Sequence, residues 1–314
     1  MVKVYVYRRL RERNRWLRSD GKPNFKSRIH ERPSEIAPVV IRDAPRCNTR
    51  TPILKVCELM SDTGLRLVTV LTGDKFIEGV IAGMDVIDYL GGGLKHNVIL
   101  SHKIESIYDA LSMPAEVIMH SNPIRASLSM TLPELLELMI KYGVGALPVV
   151  DREGNYVGIV TERSLIKYLT GKVTGTLVKD VMTENVIYIG EDATLGKALK
   201  LMINTGVRRL PVTADGTVAG MLSWKDVVDL IGKHKVFQLL RSKSVFELLS
   251  LPVSDVMRRD VLTIEPECDI GEAASIMNVK NVGSLLVVRD GKLLGIITAR
   301  DILYGTVVAR PAGG

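Results

Sequence analysis

The sequence predicts an α/β (α+β) fold built from four copies of a β-α-β-β-α unit, and three observations support this prediction. One short pattern recurs at residues 79–85, 158–164, 220–226 and 295–301: glycine, two apolar residues, a small or hydroxyl residue, and a polar residue three positions later. A strand-like apolar hairpin precedes each pattern, and residues at helical spacing precede each hairpin. Small repeated units bury their apolar faces against each other, so we expect the functional surfaces to lie between copies.

The third copy shows the unit most clearly. The sequence predicts an opening strand at 186–189, a helix at 193–205, two strands at 209–213 and 218–222 around the turn Asp215-Gly216, and a closing helix at 224–231. The fourth copy repeats this order, with an opening strand at 261–264 and a last helix from Ala299.

The other two copies follow the same order with more divergence. In the second copy, the pattern predicts a helix over 132–142 and strands over 146–150 and 156–160. In the first copy, the hairpin is clear, but its opening strand is predicted near 39–41, well before the helix. Between copies three and four, residues 231–251 carry apolar side chains at a spacing that predicts one amphipathic helix.

At these residues the chain resembles the CBS domain family, whose small modules associate in pairs. The resemblance rests on the repeated pattern together with the motifs Val181-Met182-Thr183, Arg208-Arg209-Leu210-Pro211-Val212 and Val256-Met257, and covers roughly residues 37–309. It implies a first pair of repeats over 37–170 and a second pair over 171–310. A basic arm over 1–36 precedes both pairs.

The resemblance also implies a regulatory ligand, an adenine nucleotide (AMP, ADP or ATP), in the clefts between paired copies. A hydroxyl at a helix start lies beside free N–H groups that favour phosphate, an aspartate one turn on can accept hydrogen bonds from ribose, and an arginine adds a fork of donors. The candidate ligand-binding residues are Ser223, Asp226, Arg209, Thr298, Asp301, Val186, Val261, Thr161 and Asp85.

The same residues have a structural interpretation, because a hydroxyl followed three positions later by aspartate is also a helix-capping box. We favour ligand binding in the second pair, where copies three and four keep both members. The first pair departs from the pattern: Ala82 lacks the hydroxyl in copy one, and Ser164 replaces the carboxylate in copy two. Nucleotide binding is therefore expected to be weaker or absent there.

The formal charge of the chain, +7, lies entirely in the arm. Residues 1–36 contain eleven Lys or Arg and four Asp or Glu, and the remaining residues contain thirty-one of each. Arginine with an adjacent tryptophan is typical of RNA-docking segments, whereas a solvated tail is the plain alternative. The candidate RNA-binding residues are Arg8, Arg9, Arg11, Arg13, Arg15, Trp16, Arg18 and Lys22.

Composition excludes several function classes. Three cysteines without a CxxC spacing and five scattered histidines predict neither a disulfide framework nor a metal site, and no catalytic motif is present, so we expect a non-enzymatic protein. Without a signal or membrane-spanning stretch, a cytoplasmic location is expected.

Two hypotheses about function remain open. The first is a regulatory protein that senses nucleotides and docks on structured RNA, most plainly the ribosome, as a hibernation factor does. The second is an energy-sensing subunit of an enzyme or transporter. Either can form a homodimer through its paired repeats.

Overall fold

All four predicted copies have the element order β-α-β-β-α in the computed structural model, which describes residues 36–215 and 217–307. The predicted α/β fold class is therefore confirmed. The basic arm up to residue 35 and Gly216 of the predicted turn lie outside the described residues.

The first copy begins later than the sequence indicated. Its elements are β1 (Arg46–Cys47), α1 (Ile53–Thr63), β2 (Leu67–Thr72), β3 (Phe76–Ala82) and α2 (Gly83–Gly91). The opening strand predicted near residues 39–41 is wrong, because Ala37–Val39 forms a 3₁₀ turn and Ile41 bridges to Ile159 of the second copy. β1 takes the place of that strand by pairing in parallel with β2.

The second copy follows two short connecting helices, α3 (Asn97–Ser101) and α4 (Ile107–Ser112), and strand β4 (His120–Ser121). Its own elements are β5 (Ala126–Ser127), α5 (Leu132–Tyr142), β6 (Ala146–Val150), β7 (Tyr156–Thr161) and α6 (Glu162–Ile166). Both α5 and β6 have the predicted bounds. Helix α5 has sharp end signals: Glu134 accepts a hydrogen bond from the Thr131 N–H (2.8 Å), and Gly143 ends the helix at φ 65°.

The third copy comprises α7 (Val178–Val181), β8 (Ile189–Gly190), α8 (Leu195–Thr205), β9 (Arg209–Ala214), β10 (Thr217–Ser223) and α9 (Trp224–Gly232). Two helices, α10 (Val236–Leu239) and α11 (Val245–Ser250), then lead to the fourth copy: β11 (Thr263–Ile264), α12 (Ile270–Val279), β12 (Ser284–Arg289), β13 (Lys292–Thr298) and α13 (Ala299–Val307).

Two predictions for these copies need correction. The opening strands have two residues each, so the predicted strands at 186–189 and 261–264 began too early. The single amphipathic helix predicted over 231–251 is wrong, because the chain breaks between α10 and α11, where Lys243 has a left-handed φ of 53°. This backbone conformation cannot continue a right-handed helix.

Each copy forms a small mixed sheet in which the opening strand is parallel to the second strand and the second is antiparallel to the third. The third strand of each copy also receives an antiparallel bridge from the segment that precedes the other copy of its pair. These bridges join Val80 to His120, Ile159 to Ile41, Met221 to Arg258, and Ile296 to Thr183. Copies one and two, and copies three and four, therefore form two tandem pairs.

The hydrophobic core connects the two pairs. One buried cluster combines copy one with copy three, and a second combines copy two with copy four. In the first cluster α1 packs on α9, and α2 packs on α8 and α9; in the second, α6 packs on α13. The copies thus meet through strands within a pair and through helices between pairs. No helix in residues 36–215 and 217–307 is long and apolar enough to cross a membrane.

Candidate functional site

A cavity of about 540 Å³ lies where all four copies meet. Its wall takes residues 64–66 from copy one, 161–163 from copy two, 208–209 and 223–226 from copy three, and 280–284 and 298–300 from copy four. Met221 of copy three and residues 258–262, which lead into copy four, complete the wall. We call this space the central cavity. No single pair encloses it, so it exists only when the two pairs are packed together.

The wall of the central cavity is strongly basic. Nine of its lining residues are Lys or Arg, and three are Asp or Glu. This imbalance contrasts with the even charge of the chain beyond its arm. Clefts with low-dielectric walls and one sign of charge concentrate ligands of the opposite sign. The central cavity is therefore suited to an anion.

Arg66 repels two other arginines of the wall, Arg163 and Arg209. Burial lowers the pKa of Arg66 more than the attraction of Glu162 raises it, and repulsion from Arg300 lowers it further. Burial also lowers the pKa of Arg163, and repulsion from Arg66 adds to this effect. Burial, followed by repulsion from Arg66, lowers the pKa of Arg209 to about 10. Within the described residues, the Arg209 guanidinium has no carboxylate at ion-pair distance and no hydrogen-bond acceptor. It lies so close to Gly283 that a Cβ there would be 2.5 Å from Nη2 of Arg209.

The hydroxyl and aspartate pairs of copies three and four have the same local geometry. The N–H and hydroxyl of Ser223 both donate to Oδ2 of Asp226, at 2.7 and 2.5 Å. Those of Thr298 donate to Oδ2 of Asp301, at 2.9 and 2.7 Å. One carboxylate oxygen thus caps the helix in each copy. Oδ1 of Asp226 accepts a hydrogen bond from Nε of Arg258, whose side chain is half exposed.

The first pair differs at these positions. In copy two, Thr161 and Ser164 cap each other through hydroxyl and backbone hydrogen bonds of 2.9 and 3.0 Å. In copy one, Asp85 is fully buried, and its Oδ1 lies 2.6 Å from both Nζ of Lys95 and Nε2 of His120. Burial would raise the pKa of Asp85, but Lys95 and His120 outweigh it and hold that pKa below its ordinary value. This carboxylate is already occupied by protein groups.

The structure brings six of the nine candidate ligand-binding residues to the central cavity. They are Arg209, Ser223, Asp226, Val261, Thr298 and Thr161. Val186, Asp301 and Asp85 are not among its lining residues. The candidate RNA-binding residues of the arm lie outside the described part of the chain. Among residues 36–215 and 217–307, no group of three or more His, Cys, Asp or Glu is placed to hold a metal ion.

Sequence reasoning missed several charged residues of the cavity, above all Glu162, Arg66 and Arg300. Glu162 carried a detectable signal: it follows the capping hydroxyl, where the other copies have Gly83, Trp224 and Ala299. A charged residue at an otherwise uncharged position of a repeat marks a local requirement. The two arginines carried no such signal, because only the packing of the pairs brings them to the cavity.

Comparison with known proteins identifies the repeats. Residues 115–171, 178–233 and 253–305 match the CBS domain, which is more than half of the chain. The chain belongs to the CBS domain family. The first copy of this CBS domain protein lies outside the matched segments, yet it has the same element order.

Similar proteins include archaeal chains of about the same length. A 33.4 kDa protein in the ribosomal RNA operon of Thermofilum pendens is 31% identical over 80% of this chain and 84% of its own. The crystal structure of protein MJ1225 from Methanocaldococcus jannaschii, described as a candidate archaeal homologue of γ-AMPK, matches with a TM-score of 0.79 and 27% identity. That match covers 86% of this chain and 99% of MJ1225.

A conserved protein from Pyrococcus horikoshii has the same fold, with a TM-score of 0.56 and 19% identity over 87% of this chain and all of its own. Membership of this family makes the CBS domain protein a regulatory one. Its resemblance to ribosome-hibernation factors and its individual site residues remain predictions.

Proposed function

We propose that this chain is a non-enzymatic regulatory protein that binds an adenine nucleotide (AMP, ADP or ATP) in the central cavity. The observation that carries the proposal is the strongly basic wall of the central cavity, in which Arg66 repels both Arg163 and Arg209 and so lowers their pKa. A phosphate group placed beside Arg163 and Arg209 relieves this repulsion and supplies acceptors for their donors. Arg209, which has no carboxylate at ion-pair distance within the described residues, gains most from such a ligand.

The nucleoside end of the ligand has a counterpart beside the arginines. Oδ1 of Asp226 faces the half-exposed side chain of Arg258, which can move into solvent and leave this oxygen to ribose hydroxyls. Val261 lines the same cavity and offers an apolar surface for the base. The description of MJ1225 as a candidate γ-AMPK homologue supports a nucleotide-sensing role for a relative of this length.

Calorimetric titration of the full chain with AMP, ADP and ATP tests this proposal. Arg209→Gln is expected to weaken binding by about 1.5–3 kcal/mol, as for a lost hydrogen bond to a charged group. Asp226→Asn is expected to weaken it by about 1–3 kcal/mol. Asp301→Asn is the matched control, because Asp301 makes the same cap but does not line the cavity. Unchanged affinity in Asp226→Asn would return the pair of Ser223 and Asp226 to helix capping alone.

We further propose that the arm docks the protein on structured RNA, most plainly the ribosome. The supporting observation is the concentration of net charge in residues 1–36, because affinity for nucleic acid rises with each neutralised phosphate. A relative found in a ribosomal RNA operon is consistent with this proposal. We expect co-sedimentation with ribosomes at low salt that is lost at high salt or on deletion of residues 1–36. Nucleotide binding should survive that deletion.

The second candidate function is an energy-sensing subunit of an enzyme or transporter, alone or as a homodimer. It requires the same central cavity but no RNA. Sedimentation separates the two candidates: a chain that binds nucleotides and never migrates with ribosomes at any salt concentration favours the second.

A further inference from the structure

Glu162 places a buried carboxylate in the wall of the central cavity. It is the first residue of α6, directly after Thr161, and its side chain is only 4% exposed. Three guanidinium groups surround it, one from each of the other copies. Arg66 lies 3.1 Å and Arg208 3.7 Å from Oε2, and Nε of Arg300 donates to Oε1. One side chain thus connects all four copies.

The charges around Glu162 divide the basic wall into two parts. Burial alone would lower the pKa of Arg300, but Glu162 outweighs it and raises that pKa. Arg209 and Arg163 also lie in this wall, yet neither forms an ion pair with Glu162. A buried carboxylate is costly unless it is paired, so Glu162 holds its partners firmly. Arg209, which has no carboxylate at ion-pair distance within the described residues, is left available to an external anion.

We infer that the buried Glu162 carboxylate competes with a ligand's phosphates for the arginines of the central cavity. By this competition it makes the affinity for a nucleotide depend on the number of its phosphates. The inference rests on the proposed nucleotide site. A short phosphate group reaches Arg209 and leaves the Glu162 cluster intact. A longer chain extends toward Arg66, Arg208 and Arg300, where it meets a carboxylate of like charge. The penalty from Glu162 therefore grows with the number of phosphates.

Calorimetric titration with adenosine, AMP and ATP tests this inference on the full chain. In Glu162→Gln, which keeps the shape of the side chain and removes its charge, ATP is expected to bind roughly tenfold more tightly, or about 1.4 kcal/mol. Adenosine binding should change by less than about threefold, since adenosine carries no charge to repel. Glu162→Asp keeps the charge and should keep the wild-type order of affinities. The exposed Glu137→Gln is the control for a surface charge in the same copy.

Two outcomes overturn the inference: ATP affinity that is unchanged or reduced in Glu162→Gln, or an equal gain in Glu162→Asp. Thermal unfolding with inorganic pyrophosphate gives a second measurement that does not require nucleotide binding. The unpaired arginines of Glu162→Gln should make pyrophosphate raise its melting temperature more than that of the wild type. If no nucleotide binds any variant but this difference is present, the proposed function fails, whereas the competition of Glu162 with phosphate groups for the arginines is supported.

Thermal unfolding with pyrophosphate also tests the inference if Glu162→Gln is unfolded in buffer alone. Pyrophosphate that replaces the missing anion should then restore cooperative unfolding of Glu162→Gln. No restoration at any pyrophosphate concentration overturns the inference.

Discussion

Asp85 and Asp226 occupy the same position of the repeat, three residues after the N-cap residue of the closing helix. Their surroundings nevertheless give them different roles. Each accepts a backbone hydrogen bond through Oδ2, from Ala82 and Ser223 respectively. Oδ1 of Asp226 faces a half-exposed arginine on the cavity wall. Oδ1 of Asp85 contacts Lys95, which is 15% exposed, and His120. The repeat fixes the backbone position, and the neighbouring residues decide what the carboxylate can bind.

Asp85→Asn is expected to lower the free energy of unfolding by about 3–5 kcal/mol, because it leaves the Lys95 ammonium without its buried partner. The folded-state pKa of Asp85 lies below the ordinary value of 3.8. Its contribution to stability is therefore present above pH 3.8 and is lost as the pH falls toward the folded pKa. Urea denaturation from pH 7 to pH 2 measures both effects.

Exposed Asp62→Asn serves as the control and should follow the wild-type curve. A wild-type slope for Asp85→Asn in the acid range would show that the ion pair does not contribute as described.

Helices α2 and α9 approach each other at their first residues, which are equivalent positions of copies one and three. A Cβ on Gly83 would lie 2.1 Å from Cε3 of Trp224, so the indole fills the space that a side chain would need. Close contact of this kind explains why a glycine begins a helix that is buried throughout. Gly83 and Trp224 occupy equivalent positions and contact each other, so the large side chain of one requires a glycine at the other.

Gly83→Ala is expected to destabilise the protein by about 1–3 kcal/mol through overpacking, although alanine favours helices by about 1 kcal/mol over glycine. Gly190→Ala is the matched control, because a Cβ there meets nothing within 4 Å. Thermal unfolding of both variants tests this expectation, and equal melting temperatures would contradict the described contact.

Hairpins and long helices could be predicted from sequence because alternation, helical spacing and end residues all agree in them, as in α5 and β6. The opening strands were misplaced because a strand of two residues is too short to show the alternation of apolar and polar residues that predicts a strand. In copy one, proximity to the second copy decides that Ile41 joins another sheet. The break before α11 was missed because lysine gives no sign of a left-handed backbone.

Across the whole molecule, strands unite copies within a pair, and buried helices unite the pairs. Prediction of the site from sequence was limited because its residues come from different copies. Ser223, Asp226 and Arg209 belong to one copy, so the motif of that copy revealed them. Arg66 and Arg300 reach the cavity from copies far apart in sequence, and only the packing of the two pairs against each other brings them together.

Separate expression of residues 36–170 and 171–310 tests this architecture. Each half exposes the helix faces that form the two core clusters, so we expect each to self-associate or precipitate, and the two together to form a soluble 1:1 complex. Size-exclusion chromatography with light scattering measures the result. Two monomeric halves that unfold cooperatively and do not bind each other would contradict a core shared between the pairs.

Trp224 is 6% exposed, lines the central cavity and packs on Gly83 of the opposite pair. The chain has one other tryptophan, Trp16 in the arm. A protein shortened by its first 36 residues therefore carries a single tryptophan, which lies between the cavity and the core. The intensity of its emission can report ligand binding in the cavity. A shift in its emission wavelength can report separation of the two pairs, which would expose the indole to water.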